Sequence, residues 1–138
     1  MKAIKAFLRA NRGEGIISAL YTMLLLTIIF FIGIDIAGYT ATAWKLRNAC
    51  SETLSLMKIE NGYDSRIEQA FLKFAGAQGL MMEKINIYGT PKTVQRGDTV
   101  EINASIPYEI RSIRPFSQSL KLDISISMSG LAQDFIRY

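Results

Sequence analysis

The chain has 138 residues, 49% hydrophobic and 20% charged, with a net charge of +4; this length suits one domain plus a short appended segment. It has no histidine and a single cysteine, Cys50, which excludes a disulfide framework within one chain and a metal site of the Cys/His type. Four of the basic residues, Lys2, Lys5, Arg9 and Arg12, fall in the first twelve positions, where they mark membrane topology rather than a nucleic-acid surface.

Residues 1–14 therefore read as a basic cytoplasmic leader. From Gly15 to Ile34 there are twenty residues without a charge. A helix of that length spans about 30 Å, the thickness of a bilayer's hydrocarbon core. Residues 15–35 are assigned to a transmembrane helix and 36–138 to an extracytoplasmic domain, because the basic flank precedes the run and its first following charge is Asp35. The expected location is a cell membrane, crossed once, with the N-terminus in the cytoplasm.

Three readings compete for this segment. A cleaved secretory signal needs a shorter apolar core, but Ala37-Gly38 and Thr40 to Ala43 supply small residues beyond the run. An uncleaved signal anchor fits the length better. The third reading takes in Asn11-Arg12-Gly13-Glu14, which resembles the leader of a type IV prepilin. In that class a membrane peptidase cuts after a glycine on the cytoplasmic side and leaves the apolar helix on the mature protein. Cleavage after Gly13 makes Glu14 the first mature residue; the alternative is Gly15, which leaves Ile16 first.

The helix is expected to continue beyond the bilayer. Between Thr40 and Ile59 there is neither proline nor glycine, and Trp44, Leu46, Ala49, Cys50, Thr53, Leu54 and Met57 recur at three- and four-residue spacing. Trp44 suits either the membrane interface or the core of the domain. Cys50 reads as a small buried residue, with an intermolecular bridge as the alternative. Asp35 reads as a solvated boundary charge, or as a partner for Lys45 or Arg47 of a neighbouring subunit.

Asn61-Gly62 offers a left-handed stop. Asp64 then serves as N-cap for a second helix from Ser65 to about Ala75, with Ile67, Ala70, Phe71 and Phe74 as its apolar stripe and Gly76 and Gly79 ending it. Beyond it the period changes to two. Ile85 and Ile87 open a short strand. Arg96-Gly97-Asp98, which also spells the integrin-binding tripeptide, reads as a turn into an alternating strand, Val100 to Ile110; a further strand runs from Leu120 to Met128. Pro107 places its strand near an edge or at a bulge. Arg111 and Arg114 fall on a loop and read as solvated. The expected fold is α+β: a long N-terminal transmembrane helix and a second short helix packed on a three-stranded antiparallel β-meander, pilin-like in plan.

The ordered set of elements resembles the TadE-like minor pilins (pseudopilins) of tight-adherence pilus systems and the related pilin-like proteins of Gram-positive conjugative elements. The likeness rests on the Arg12-Gly13 leader, the apolar helix, Gly33-Ile34-Asp35-Ile36-Ala37-Gly38-Tyr39 at its outer end, and Leu46-Arg47-Asn48-Ala49-Cys50 after it. The Val100 to Tyr108 strand, Arg114-Pro115, a second alternating strand and an aromatic terminus complete it. The resemblance implies a structural subunit of a pilus, secretion or conjugation apparatus. Its partners would be the lipid bilayer, other pilin-like subunits, an assembly platform and a prepilin peptidase; nucleic acid and cofactors are not expected. The family's usual glutamate, five residues into the mature chain, falls here on Ser18 or, for the alternative cut, Leu20. The competing reading is a signal-anchored extracellular binding module that does not enter a filament. Catalysis is not expected: Glu101 and Glu109 lie roughly 27 Å apart by strand rise and cannot work as a pair.

Overall fold

The computed structural model describes residues 12–113 and 119–133, with side chains from Gly15 onward. Arg114-Pro115 and the aromatic terminus lie outside the described residues.

A single helix, α1, runs unbroken from Arg12 to Glu60 over 49 residues, about 73 Å at the usual rise. Its first half is sheathed in exposed Ile, Leu, Met and Phe side chains and forms one helix long and apolar enough to cross a membrane. Both threonine hydroxyls in this stretch are paired: Thr22 donates to the Ser18 carbonyl at 2.9 Å and Thr27 to the Met23 carbonyl at 2.8 Å. That matters in hydrocarbon, where no water can replace a missing partner.

The helix stops as its sequence dictates. Asn61 takes a left-handed conformation (φ 57°) and the Gly62 N–H bonds back to the Met57 carbonyl at 3.0 Å, the Schellman geometry that satisfies an end carbonyl. Gly62 is required on two counts: its φ is 133°, and a Cβ there would lie 2.6 Å from the Lys92 Cα and the Pro91 carbonyl.

Helix α2 spans Ser65–Ala77. Its N-cap is Asp64, whose carboxylate accepts from the Arg66 and Ile67 N–H groups, each at 3.0 Å. The backbone N–H of Ile67 and the Lys92 ammonium hold this carboxyl below the ordinary aspartate range. The helix runs two residues beyond the expected Ala75 and takes Gly76 into its last turn. Gly79 ends it instead, at φ 74°, with Leu80 N–H on the Ala75 carbonyl at 3.0 Å. Ile67, Phe71 and Ala75 are buried, while Ala70 and Phe74 are half-buried.

A 3-10 turn at Met82–Lys84 leads to strands β1 (Asn86–Gly89), β2 (Thr99–Glu109) and β3 (Lys121–Leu131), ordered β1-β2-β3 and antiparallel. This is the expected α+β meander, with β3 ending three residues beyond the expected Met128. The Arg96-Gly97-Asp98 turn is present. Gly97 sits at φ 93°, and the Asp98 carboxylate folds back to accept from the Gln95 N–H at 2.8 Å.

Pro107 requires a correction: its strand is the central one, and the β2–β3 register passes through Pro107↔Asp123 without a bulge. The strand tolerates it because β1 begins opposite Ser105 and pairs from there toward Ile102. Pro107, which has no N–H to donate, stands where that flank has no neighbour.

The core lies between the sheet and both helices. Leu46, Ala49, Cys50, Leu54 and Met57 of α1 meet Ile67 and Phe71 of α2, the inner face of β2 (Val100, Ile102, Ala104 and Ile106) and Ile124 of β3. Each large side chain buried here contributes about 1.5–3 kcal/mol. The other sheet face carries exposed Glu101, Asn103, Asp123, Ser125 and Ser127, as expected for a sheet with one wet side.

Candidate functional site

The distinctive constellation lies at the outer end of the apolar run. On α1, Asp35 shares a face with Tyr39, Thr42, Leu46, Ala49, Thr53 and Met57, the same face that downstream carries the core. Asp35 is 7% exposed. Its carboxylate accepts the Arg111 N–H at 3.0 Å on one oxygen and the Ser112 N–H at 2.8 Å on the other. The expectation of a solvated boundary charge is therefore corrected. A buried carboxylate is costly unless charge-assisted hydrogen bonds satisfy it, and the turn after β2 supplies two successive amide donors. Lys45 and Arg47 are not needed as partners within the chain.

Gly38, one turn further, is the second part of this clamp. A Cβ at that position would collide with the Tyr108 hydroxyl and stand 3.2 Å from the ring's Cζ. The missing side chain is what lets the Tyr108 ring lie against the helix. Tyr39 meets the same ring edge-to-face, with centroids 5.8 Å apart and planes at 89°, a favoured aromatic geometry. One heptad-like stretch of α1 therefore holds the end of β2 by a carboxylate, a gap and an aromatic edge.

Beside the clamp, α1 and the β2–β3 ribbon leave an apolar groove of about 370 Å3, lined by Ile32, Ile36, Tyr39, Tyr108, Ile110 and Leu122 among others.

The remaining expected site residues fall elsewhere. Gly13 and Glu14 lie on the first turn of α1, a helical backbone whose side chains are outside the described set. Gly15 has open space around it, and Ser18 is exposed on the apolar stretch. Neither Gly15 nor Ser18 approaches Asp35, which follows Ser18 by 17 positions along the helix, about 25 Å. Trp44 is 63% exposed, so the core role considered for it is overturned. Cys50 is fully buried, and burial pushes its thiol up to about 11; it is a packing residue in this fold. Arg111 is exposed, as expected, while its backbone N–H serves the clamp. A second polar junction, missed in the sequence, joins Lys92 to Glu60 at 2.8 Å and to Asp64 at 3.3 Å. No sequence spacing links position 92 to positions 60 and 64; the contact follows from Tyr63 pairing with Pro91.

Among the described residues, no group of three or more Cys, Asp or Glu side chains could hold a metal ion. No curated protein and no solved structure matches this chain. One family model does match, over residues 22–137, a span that takes in the outer part of the apolar run, both sides of the Asp35 clamp and the whole sheet. The chain belongs to the family described as a domain of unknown function, DUF4320.

Proposed function

We propose that this protein is a membrane-anchored, pseudopilin-like structural component of a tight-adherence-type pilus, secretion or conjugation apparatus, and that it performs no catalysis. One observation carries the reading: α1 is a single 49-residue helix whose first half is apolar and exposed and whose second half is a wall of the domain's core. An anchor needs only the first half. A helix rigidly joined to its domain suits a subunit that is drawn out of the membrane and stacked.

The face of α1 opposite Asp35 supports the same reading. Leu26, Gly33, Ala37, Thr40 and Trp44 follow one another there at three- to seven-residue spacing, and all are exposed. Small residues in such a row let helix backbones approach closely. In this reading Ser18 packs rather than pairs, because it cannot neutralise a neighbour's amine. Asp35 serves assembly by locking the domain on its helix, and the N-terminus faces the cytoplasm with the domain outside the cell membrane.

N-terminal sequencing of the mature protein, made alongside its cognate prepilin peptidase, tests the reading. The expected first residue is Glu14, or Ile16 for the alternative cut; an intact Met1 counts against processing as a pilin. A soluble fragment starting near Trp44 that retains full function would favour the anchored binding module instead.

A further inference from the structure

The two ends of the β2–β3 ribbon are tied to α1 at well-separated heights. At one end the Gln133 N–H donates to the Lys58 carbonyl at 2.8 Å; at the other, Arg111 and Ser112 donate to Asp35. The ribbon therefore runs alongside the helix for 23 residues, about 34 Å, with its Ile110–Leu120 end toward the apolar half of α1.

The inner face of the ribbon is not filled along its whole length. Ile106 and Ile124 are buried against the core, but the next pairs on that face, Tyr108 with Leu122 and Ile110 with Leu120, lie beyond it. Leu120 is 49% and Leu122 43% exposed, and Ile36 across the gap is 62% exposed. The space between Leu122 and Ile36 is the groove of about 370 Å3, within the size range of small-molecule sites. Asp35, the one charged residue among the described lining residues, has both oxygens engaged by the Arg111 and Ser112 amides.

We propose that this groove is a lipid site that takes an acyl chain of a phospholipid from the leaflet nearest the domain. The occupant is named by continuity: Ile32, part of the groove wall, belongs to the same uncharged run as the exposed span, so the groove opens at the depth where hydrocarbon begins. Tyr39 and Tyr108 stand at its upper end, at the level where aromatic side chains meet headgroups. Trp44 lies nine positions above Asp35, about 13 Å, beyond the layer of some 5–7 Å that headgroups occupy on each side. The domain is thereby seated on the bilayer by its sheet as well as hung from it by its helix. The inference rests on the span lying in a bilayer and is independent of pilin processing or assembly.

The test uses the full-length protein in phosphatidylcholine vesicles, with Trp44→Phe as background and a single reporter, Leu122→Trp, or Leu120→Trp should the first not fold. Leu25→Trp in the same background reports on the span itself. Expected are loss of most of the Leu122→Trp emission in vesicles brominated near the headgroup end of the acyl chains, resistance to aqueous acrylamide, and no change on diluting protein in lipid. Quenching by acrylamide without quenching by bromolipid overturns the proposal. So does shielding that disappears on dilution, which assigns the groove to a second copy, or shielding without bromolipid quenching at any density, which assigns it to the chain itself. In each case Leu25→Trp quenched by lipid brominated near the chain ends shows that the anchor stands and that only the groove's occupant was wrong.

Discussion

The two halves of the contact between α1 and the sheet are built on different principles. Away from the exposed apolar half of α1, Leu46, Ala49, Cys50 and Met57 pack with Val100, Ile102 and Ile124, and the interface is dry. Beside the exposed apolar half of α1 the same helix face meets the same strand through one carboxylate, one missing Cβ and one aromatic edge, with a groove left open beside them. The first arrangement supplies stability through burial. The second supplies position, because it pins one point of the turn to one point of the helix and leaves nearby apolar surface uncovered.

Substitutions should separate these halves. The largest effect is expected in the core that continues the dry half: Phe71→Ala on α2 removes a fully buried ring and should cost about 3–5 kcal/mol, read as a cooperative loss of thermal stability across the domain. In the pinned half, Gly38→Ala drives a methyl into the Tyr108 ring and should cost about 1–3 kcal/mol. That loss should come with altered Tyr39 and Tyr108 signals and little change in the core's methyl spectrum. A uniform spectral change would mean the two halves are not independent.

Asp64→Ala removes the cap of α2 and should cost about 1 kcal/mol. Because the folded-state carboxyl is held below its ordinary value, chiefly by the Ile67 N–H, this contribution is present above the unfolded aspartate value. It disappears as pH falls through the folded one. Melting curves of the variant and the parent should therefore converge in acid and stay apart at neutral pH. The smallest effect is on Cys50: with its thiol raised to about 11 by burial, it should resist maleimide at neutral pH in the folded protein and react on unfolding. Rapid labelling of the native protein would contradict its place in the dry half.

The dry half was legible in the sequence. The α-helical spacing from Leu46 to Met57, the Asp64 cap and the period-two strands each encode a local rule, and each element formed within a few residues of its expected bounds. The pinned half was not legible. Asp35 at the end of an apolar run looks like any boundary charge, and its true partners are main-chain amides 76 and 77 positions away, which no side-chain pattern announces. Gly33 to Tyr39 stood out as a motif, yet Gly38 shows its purpose only when Tyr108 is seen against it. Pro107 misled for a related reason: a strand can be central in order and still have a bare flank where its neighbour is short.

The most direct measurement of the pinned junction is amide hydrogen exchange of the full-length protein in vesicles, comparing the parent with Asp35→Ala. Expected is slow exchange at Arg111 and Ser112 in the parent, lost in the variant while the amides of Ile102, Ala104 and Phe71 keep their protection. Equal exchange at Arg111 and Ser112 in both proteins, or loss of protection throughout the domain, would contradict a local clamp that holds the sheet on α1.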